Sequence, residues 1–131
     1  MKTSIPHTAD ERPHILLVDD DEDFLSMMDM RLTREGFKVY MAPNGYRLPD
    51  HIREDHPDLI LLDIHMNGAN GGEICKNLKS DERTRRIPIL LFSGNNNIAE
   101  IADYCGADGY FSKPLDMAIL KQKLTELLDH N

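Results

Sequence analysis

The chain lacks any hydrophobic run long enough to cross a membrane. Its longest apolar segments, such as Ile87 to Phe92 with its internal proline, fall far short of the roughly 20 residues that a transmembrane helix needs. The polar start, MKTSIPHTADERPH, also lacks the apolar stretch of a secretory signal. We therefore expect a protein of the cytoplasm, with a flexible leader at residues 1–12.

Cysteine is also scarce, and acidic residues outnumber basic ones. Cys75 and Cys105 have neither C-x-x-C nor metal-ligand spacing, and no pair of histidines falls at zinc-ligand spacing supported by them. This pattern is typical of reduced thiols that are buried in the core or half-buried. With 23 acids against 15 bases, the formal charge of -8 argues against a nucleic-acid surface and suits a protein that meets cations or basic partners.

The elements that are present alternate between strand and helix. The 131 residues, 40% of them hydrophobic, fit one domain with a real core, which we place at residues 13–131. Apolar segments of strand length are His14 to Val18, Lys38 to Ala42, Asp58 to Leu62, Ile87 to Phe92 and Gly109 to Phe111. Runs without period-2 alternation are typical of parallel strands covered on both faces, so we predict a doubly wound α/β fold.

Five helices are predicted between and after these strands. The first begins near Phe24, the second covers about 48–55 and the third lies within 71–86. The fourth covers about 98–105 and the fifth about 115–130. The second is predicted to be short, because Pro49 fits only its first turn. The last has a clear apolar stripe of Leu115, Ile119, Leu120, Leu124, Leu127 and Leu128.

Polar side chains follow four of the five predicted strands. Asp19 and Asp20 follow the first strand, Asp63 the third, Ser93 the fourth and Lys113 the fifth. In an open parallel sheet, ligands bind beyond the carboxyl ends of the strands. We therefore expect three carboxylates, a hydroxyl and an ammonium group to meet at one edge of the sheet.

Three carboxylates in one place need a counter-charge. Two of them about 4 Å apart repel by roughly 4 kcal/mol at an effective dielectric of about 20, so a cation or raised pKa values must offset the repulsion. Magnesium, which prefers carboxylate and water oxygens and bridges to phosphate, suits such a cluster. With Lys113 and Ser93 beside it, the pattern indicates phosphoryl transfer to an aspartate. Taken alone, acids after a strand also fit a helix cap, a role suited to Asp21 or Asp23.

Four segments resemble the receiver domain of two-component response regulators, and the resemblance covers about residues 13–129. ILLVDDDEDF resembles that family's first strand and acidic loop, and PDLILLDIHMNG resembles its phosphoacceptor strand and loop. IPILLFSG resembles its fourth strand with the switch hydroxyl, and GADGYFSKPL its Lys-Pro segment. The resemblance implies a five-stranded flavodoxin-like (βα)5 fold with strand order 2-1-3-4-5.

The resemblance also implies a role for each carboxylate. Asp63 would accept the phosphoryl group. The metal, magnesium or manganese, would be bound by Asp20, by Asp63 itself and by the main-chain carbonyl of His65. Asp19 would support the ion through water.

Further residues are implied to act on the phosphoryl group or to report it. Ser93 and Lys113 would hold its oxygens. Tyr110 would be a switching aromatic whose ring turns inward when the hydroxyl residue moves, unless it is simply a half-buried strand tyrosine. His65 and Asn95, each two residues beyond the acceptor and the hydroxyl residue, would tune the phosphoryl lifetime, or else be exposed loop side chains.

Such domains take phosphate from a phosphohistidine on a sensor histidine kinase or a histidine phosphotransfer protein. A phosphoryl group adds roughly -1.5 to -2 charge and biases a two-state equilibrium. The expected output is a changed binding face, formed by the fourth helix, fifth strand and fifth helix, for an unknown downstream protein. No direct contact with nucleic acid or membrane is expected, and a homodimer through the same face stays open.

Three positions depart from the family's usual pattern. Asn67 stands where proline is common, which leaves the acceptor loop less rigid. Gly94 replaces the more usual alanine and would loosen the loop after the hydroxyl residue. Pro49 is unusual for the second helix.

Two other classes of function are weighed against a phosphorylated receiver. A phosphatase with an aspartate nucleophile would also use magnesium, but DIHMN lacks the second acid that such enzymes carry two residues after the nucleophile as general acid. A receiver-like scaffold that is never phosphorylated would not need to keep a costly acid cluster. Whether the chain is a stand-alone regulator or a piece of a longer protein stays open.

Overall fold

Five parallel strands form the central sheet. A computed structural model describes residues 11–45, 47–66, 69–94, 97–112 and 116–129, and for Ala69 the main chain alone. The strands of this sheet are β1 His14–Val18, β2 Lys38–Ala42, β3 Leu59–Asp63, β4 Ile89–Ser93 and β5 Gly109–Ser112. Their order is β2-β1-β3-β4-β5, and every neighbouring pair runs parallel. The predicted doubly wound fold and its strand order are confirmed.

Five helices connect and follow the strands: α1 Glu22–Arg34, α2 Leu48–Asp55, α3 Gly71–Ser80, α4 Ile98–Cys105 and α5 Met117–Asp129. Pro49 lies in the first turn of α2, where its missing N–H costs no hydrogen bond. Gly106 ends α4 with a φ of 78°, a left-handed conformation that glycine adopts without strain. Among the described residues, no helix is both long and apolar enough to cross a membrane.

Side chains alternate along the strands between two cores. One core lies between the sheet and the helices α1 and α5, and its fully buried members include Ile15, Leu17, Met28, Leu32, Leu61 and Leu124. The other core lies between the sheet and the helices α2, α3 and α4, and it includes Leu16, Val18, Leu48, Leu62, Cys75 and Ile98. Burial of each such leucine or isoleucine contributes about 1.5–3 kcal/mol, which fixes the strand ends in place.

Both cysteines lie in the second core as free thiols. Burial raises the pKa of the Cys75 thiol far above its usual range, and contact with Cys105 adds to the shift. The predicted reduced, buried thiols are therefore confirmed.

The register brings the carboxyl ends of three strands together. Val18 of β1 lies beside Leu62 of β3, so Asp19 and Asp63 follow at the same level. On the other side of β3, Asp63 pairs with Phe92. This edge carries the acidic residues and Ser93.

The structure corrects several predicted bounds. β3 and β4 begin later than expected and include Asp63 and Ser93 as their last residues. α3 ends at Ser80 instead of continuing toward residue 86, because the Thr84 hydroxyl donates to the Leu78 carbonyl over 2.7 Å and closes a turn there. In α5 the predicted stripe is wrong at Ile119, which is 50% exposed.

Candidate functional site

Three carboxylates meet at the carboxyl ends of β1 and β3. Asp19, Asp20 and Asp63 each offer one oxygen, and these oxygens all lie within 4.8 Å of one another. Asp19 is 1% exposed and Asp63 is 5% exposed, whereas Asp20 is half-buried. Burial makes the mutual repulsion of like charges stronger than it is in water, so a bound cation would be favoured here.

The acids after β1 are held in different ways. The Asp19 N–H donates to the Ala42 carbonyl of β2 over 3.2 Å, which continues the sheet by one residue. Its Oδ1 accepts from the Asp21 N–H over 3.1 Å. Asp21 is the N-cap of α1, because its Oδ1 accepts from the Phe24 N–H over 3.1 Å. Sequence reasoning named Asp21 as a possible cap, and the structure confirms it.

The loop after Asp63 folds back as a short hairpin that was not predicted. His65–Met66 pairs antiparallel with Ala69–Asn70. The His65 N–H donates to Asp63 Oδ1 over 3.3 Å and so orients the carboxylate. The His65 side chain is exposed, which is compatible with both roles predicted for it.

Two residues that sequence reasoning missed fix this loop against α3. Asn70 is the N-cap of α3, and its Oδ1 accepts from the Gly72 and Glu73 N–H groups over 2.9 and 3.2 Å. Gly71 lies so close to the acceptor that an added Cβ would stand 2.3 Å from the Asp63 carbonyl oxygen. Asn70 followed three residues later by Glu73 resembles a capping box, a signal that could have located this junction.

Ser93 and Tyr110 lie on the neighbouring strands β4 and β5. Ser93 is 1% exposed and pairs with Ser112 at the end of β5. Tyr110 is 41% exposed, so its ring lies outward. Lys113 directly follows Ser112 in sequence but lies outside the described residues, as do Asn95 and Asn67.

The donor set fits a hard divalent cation. Mg²⁺ and Mn²⁺ prefer carboxylate, carbonyl and water oxygens, and three carboxylates supply the first of these at one point. None of the three is a nitrogen or sulfur ligand of the kind that zinc prefers. The residues present therefore fit the metal that the sequence pattern indicates.

The sequence of the domain matches a known protein family. The model of the response regulator receiver domain matches residues 15–125. The chain belongs to this family. It is a receiver domain of the response regulators of two-component systems, as predicted.

Curated relatives agree with this assignment. The receiver domain is 32% identical over 118 residues to the transcriptional regulatory protein AfsQ1 of Streptomyces coelicolor, covering 88% of this chain and 51% of AfsQ1. It is 29% identical over 114 residues to sporulation initiation phosphotransferase F of Bacillus subtilis, covering 87% of this chain and 92% of that protein. The chain thus spans about half the length of AfsQ1.

Solved structures share the fold. A receiver domain protein from Methanospirillum hungatei superimposes with a TM-score of 0.83 at 25% identity, covering 92% of this chain and 96% of the other. The BeF3-activated receiver domain of Klebsiella pneumoniae RstA gives a TM-score of 0.79 at 27% identity, covering 88% of this chain and 97% of the other. Receiver domains generally bind a divalent metal, which agrees with the acidic cluster.

Proposed function

We propose that Asp63 of this receiver domain accepts a phosphoryl group from a phosphohistidine on a sensor histidine kinase or a histidine phosphotransfer protein. The observation that carries the proposal is the meeting of the carboxylates of Asp19, Asp20 and Asp63 within 4.8 Å beside the buried hydroxyl residue at the end of β4. A purely structural role would not require three acids in one place, two of them buried.

In the proposed step, a carboxylate oxygen of Asp63 attacks the phosphorus atom. A new P–O bond forms, the P–N bond to the donor histidine breaks, and that histidine leaves with the electron pair of the broken bond. The His65 N–H donates to Asp63 Oδ1 over 3.3 Å and so helps to orient the attacking carboxylate. Ser93 and Lys113 are proposed to hold the phosphoryl oxygens.

The metal ligands are proposed to be Asp20, Asp63 and the main-chain carbonyl of His65, with Asp19 acting through water. Bound Mg²⁺ or Mn²⁺ would neutralise charge on the carboxylates and on the phosphoryl oxygens. The deep burial of Asp19 and the partial exposure of Asp20 support this division, because the more accessible carboxylate can approach an ion together with its water ligands.

Phosphorylation is proposed to switch a protein-binding face. Ser93 would move toward the phosphoryl group, and the Tyr110 ring, now 41% exposed, would turn inward. Two exposed side chains with apolar surface lie on elements of this face: Tyr110 of β5 and Ile119 of α5, which is 50% exposed. Exposed apolar surface on these elements favours a downstream protein, or a second copy of the chain, as the partner.

The alternative functions are less well supported. A phosphatase would need a general acid two residues after its nucleophile, and this position is His65, whose side chain is exposed. A scaffold without phosphorylation would not need the buried Asp63 beside two further acids. Both alternatives predict no stable adduct on Asp63.

Incubation with acetyl phosphate and Mg²⁺, followed by intact-mass spectrometry, tests the proposal. The expected result is a gain of one phosphoryl group that requires Mg²⁺ and is lost in alkali. Asp63→Asn should abolish the gain, and Asp20→Asn should raise the Mg²⁺ concentration that it requires. Asp103→Asn, which removes an exposed carboxylate of α4, is the matched control and should leave the gain intact.

The proposal fails if no adduct forms, or if Asp63→Asn still acquires it. Steady release of phosphate over many turnovers without an adduct would instead favour the phosphatase. Addition of beryllofluoride to protein labelled with fluorotyrosine would test the switch, because Tyr110 should show a new ¹⁹F resonance that Asp63→Asn lacks.

The side chains of His65 and Asn95 are proposed to set how long the phosphoryl group survives. The exposed His65 side chain lies next to the acceptor loop, where it can reach an attacking water. The His65→Ala, Asn95→Ala double variant should therefore change the rate of autodephosphorylation. An unchanged lifetime would remove both residues from this role.

We also propose that residues 13–131 form the folded unit and that it works in the cytoplasm with its kinase; residues 1–10 of the predicted leader lie outside the described residues. The family match at residues 15–125 supports the first part. A chain that begins at Pro13 should unfold at the same urea concentration as the whole chain and accept phosphate at the same rate. A clear loss of either property would assign the leader to the fold.

A further inference from the structure

A cavity of about 550 Å³ lies between α2 and α3, at the edge of the sheet opposite to Asp63. Its lining includes Pro57, which precedes β3, and Ile87, which precedes β4. A five-residue strand rises roughly 16 Å, so the cavity is about one strand length away from the acidic cluster. We call it the α2–α3 groove.

The groove exists because the two helices do not close against each other. Among the described residues, α3 packs closely against α4 but not against α2. α2 connects β2 to β3, whereas α3 and α4 lie before and after β4 in the chain. The space between α2 and α3, on the side of the sheet's amino ends, is therefore filled by side chains and solvent.

The floor of the groove is apolar. Ile52 of α2 is 8% exposed and Leu78 of α3 is 7% exposed, and the lining also includes buried Pro57. Half-buried Ile87 and exposed Pro49 complete the apolar part. Such a floor gains from covering apolar surface but does not by itself select a ligand.

Two guanidinium groups on the rim give the groove a preference for an anionic ligand. Arg83 donates through Nε and Nη2 to Asp81 over 3.2 and 2.9 Å, and Arg53 donates to Asp50. Each arginine has five N–H donors, so both keep donors for a ligand while their ion pairs hold them in place. Both are exposed, and their donors can reach a molecule that lies in the groove.

The charge of the lining is opposite to that of the whole chain. The chain carries -8, whereas the lining contains the guanidinium groups of Arg53 and Arg83 and the carboxylate of Asp81, which Arg83 offsets. Arg53 shares its partner Asp50, outside the lining, with Arg47, so these three side chains keep one positive charge in excess. An apolar floor with a cationic rim complements a molecule with an apolar body and one anionic end.

We propose that the α2–α3 groove binds a small apolar carboxylate, such as a medium-chain fatty acid or an aromatic acid, with its carboxylate against Arg53 and Arg83 and its apolar body on Ile52 and Leu78. A volume of about 550 Å³ is in the range of small-molecule sites. A folded protein partner would need a much larger buried surface, of about 800 Å² on each side. The site is separate from the phosphoryl site and does not depend on it.

Titration of the ¹⁵N-labelled chain with octanoate, below its micelle-forming concentration, tests this inference. Saturable shifts are expected at backbone amides of Ile52, Arg53, Asn77, Leu78 and Thr84, with little change at Asp19 and Asp63. 1-Octanol has the same body without the charge and should bind at least about fivefold more weakly, because it cannot form charge-assisted hydrogen bonds with the arginines.

Two arginine double variants distinguish the effect of the rim arginines from that of surface charge in general. The Arg53→Gln, Arg83→Gln double variant should weaken octanoate binding about tenfold or more, since it removes both charged donors. The Arg85→Gln, Arg86→Gln double variant removes the same charge from exposed neighbours outside the lining and should change the affinity less than about twofold. Asn77→Trp fills the groove from an exposed position without a change of charge and should block binding.

Several results would overturn the proposal. Among them are the absence of saturable shifts at millimolar octanoate, equal affinity for 1-octanol, or equal losses in the two arginine double variants. Binding of an acidic peptide at these amides without binding of octanoate would also replace the proposed ligand class. Circular dichroism of each variant would exclude unfolding as the cause of a lost signal.

Discussion

Substitution of Gly71 by alanine should uncouple the acceptor loop from α3. An ideal Cβ at this position would lie 2.3 Å from the Asp63 carbonyl oxygen and 2.6 Å from the Ile64 Cα. Both contacts are with backbone, which cannot rotate away as a side chain can. The Gly71 N–H also donates to the Ile64 carbonyl over 2.9 Å, so the two segments cannot separate without the loss of a hydrogen bond.

The magnitude follows from two opposing effects. Overpacking costs about 1–3 kcal/mol and sometimes more, and contacts this short with backbone belong to the upper end of that range. Alanine at the start of a helix regains at most about 1 kcal/mol of helix propensity. We expect Gly71→Ala to lower the free energy of unfolding by about 2 kcal/mol, and to slow phosphorylation because the carboxylate of Asp63 shifts with its main chain.

Gly94→Ala is the matched control. No described atom lies within 4 Å of the Cβ that it would add, and Gly94 is not among the residues with positive φ. It should therefore raise the free energy of unfolding by about 0.4–1 kcal/mol, since alanine restricts the unfolded chain. Urea denaturation measures both changes, and acetyl phosphate labelling measures the rates. If Gly71→Ala matched Gly94→Ala in both, the close approach to Asp63 would not constrain the site.

Three further predictions concern the supports of the fold. Asp21→Ala should lower the free energy of unfolding by about 1 kcal/mol in urea, because it removes the N-cap of α1, and Asp21→Ser should restore most of the loss. Asp108→Ala should cost about 2 kcal/mol in the same assay, because Asp108 accepts both from Lys79 over 2.8 Å and from the first N–H of β4 over 2.8 Å, and Asp108→Asn should cost less. Hydrogen bonds from Arg83 lower the pKa of Asp81 to about 2, so the stabilisation from this pair should be complete above pH 4 and be lost as the pH falls through 2. An NMR titration of the Asp81 carboxyl group should show a midpoint at about 2, and Arg83→Gln should return this pKa toward the usual 3.8.

Much of this fold is readable from local sequence. The bounds of β1, β2, α2 and α4 agree with the predicted segments, because apolar runs, Pro49 and Gly106 mark them locally. α3 is different, since its predicted helical pattern continues past Ser80. The Thr84 hydroxyl competes for a helix carbonyl there, and such a local choice is not visible in hydrophobic spacing.

The exposure of Ile119 shows a second limit of prediction from the sequence. The sequence places it beside Leu120 in an apolar stripe, yet Leu120 is 1% exposed and Ile119 is 50% exposed. Which part of a wide stripe is buried depends on how the helix is rotated against the sheet, and that rotation is set by packing with α1 and the strands. The hairpin after Asp63 and the contact of Gly71 with the acceptor also depend on tertiary packing.

The sequence by itself determined the kinds of element, their order and the residues that are proposed to carry the chemistry. It could do so because parallel strands must be apolar along their length, and because acids, a hydroxyl and an amine at strand ends have no reason to be there in a plain core. Only the tertiary structure decided that Asp19, Asp20 and Asp63 lie within 4.8 Å, since that distance depends on the register between β1 and β3. It also decided that the α2–α3 groove exists, because a cavity is the space that packing leaves between helices and no local sequence pattern encodes that space.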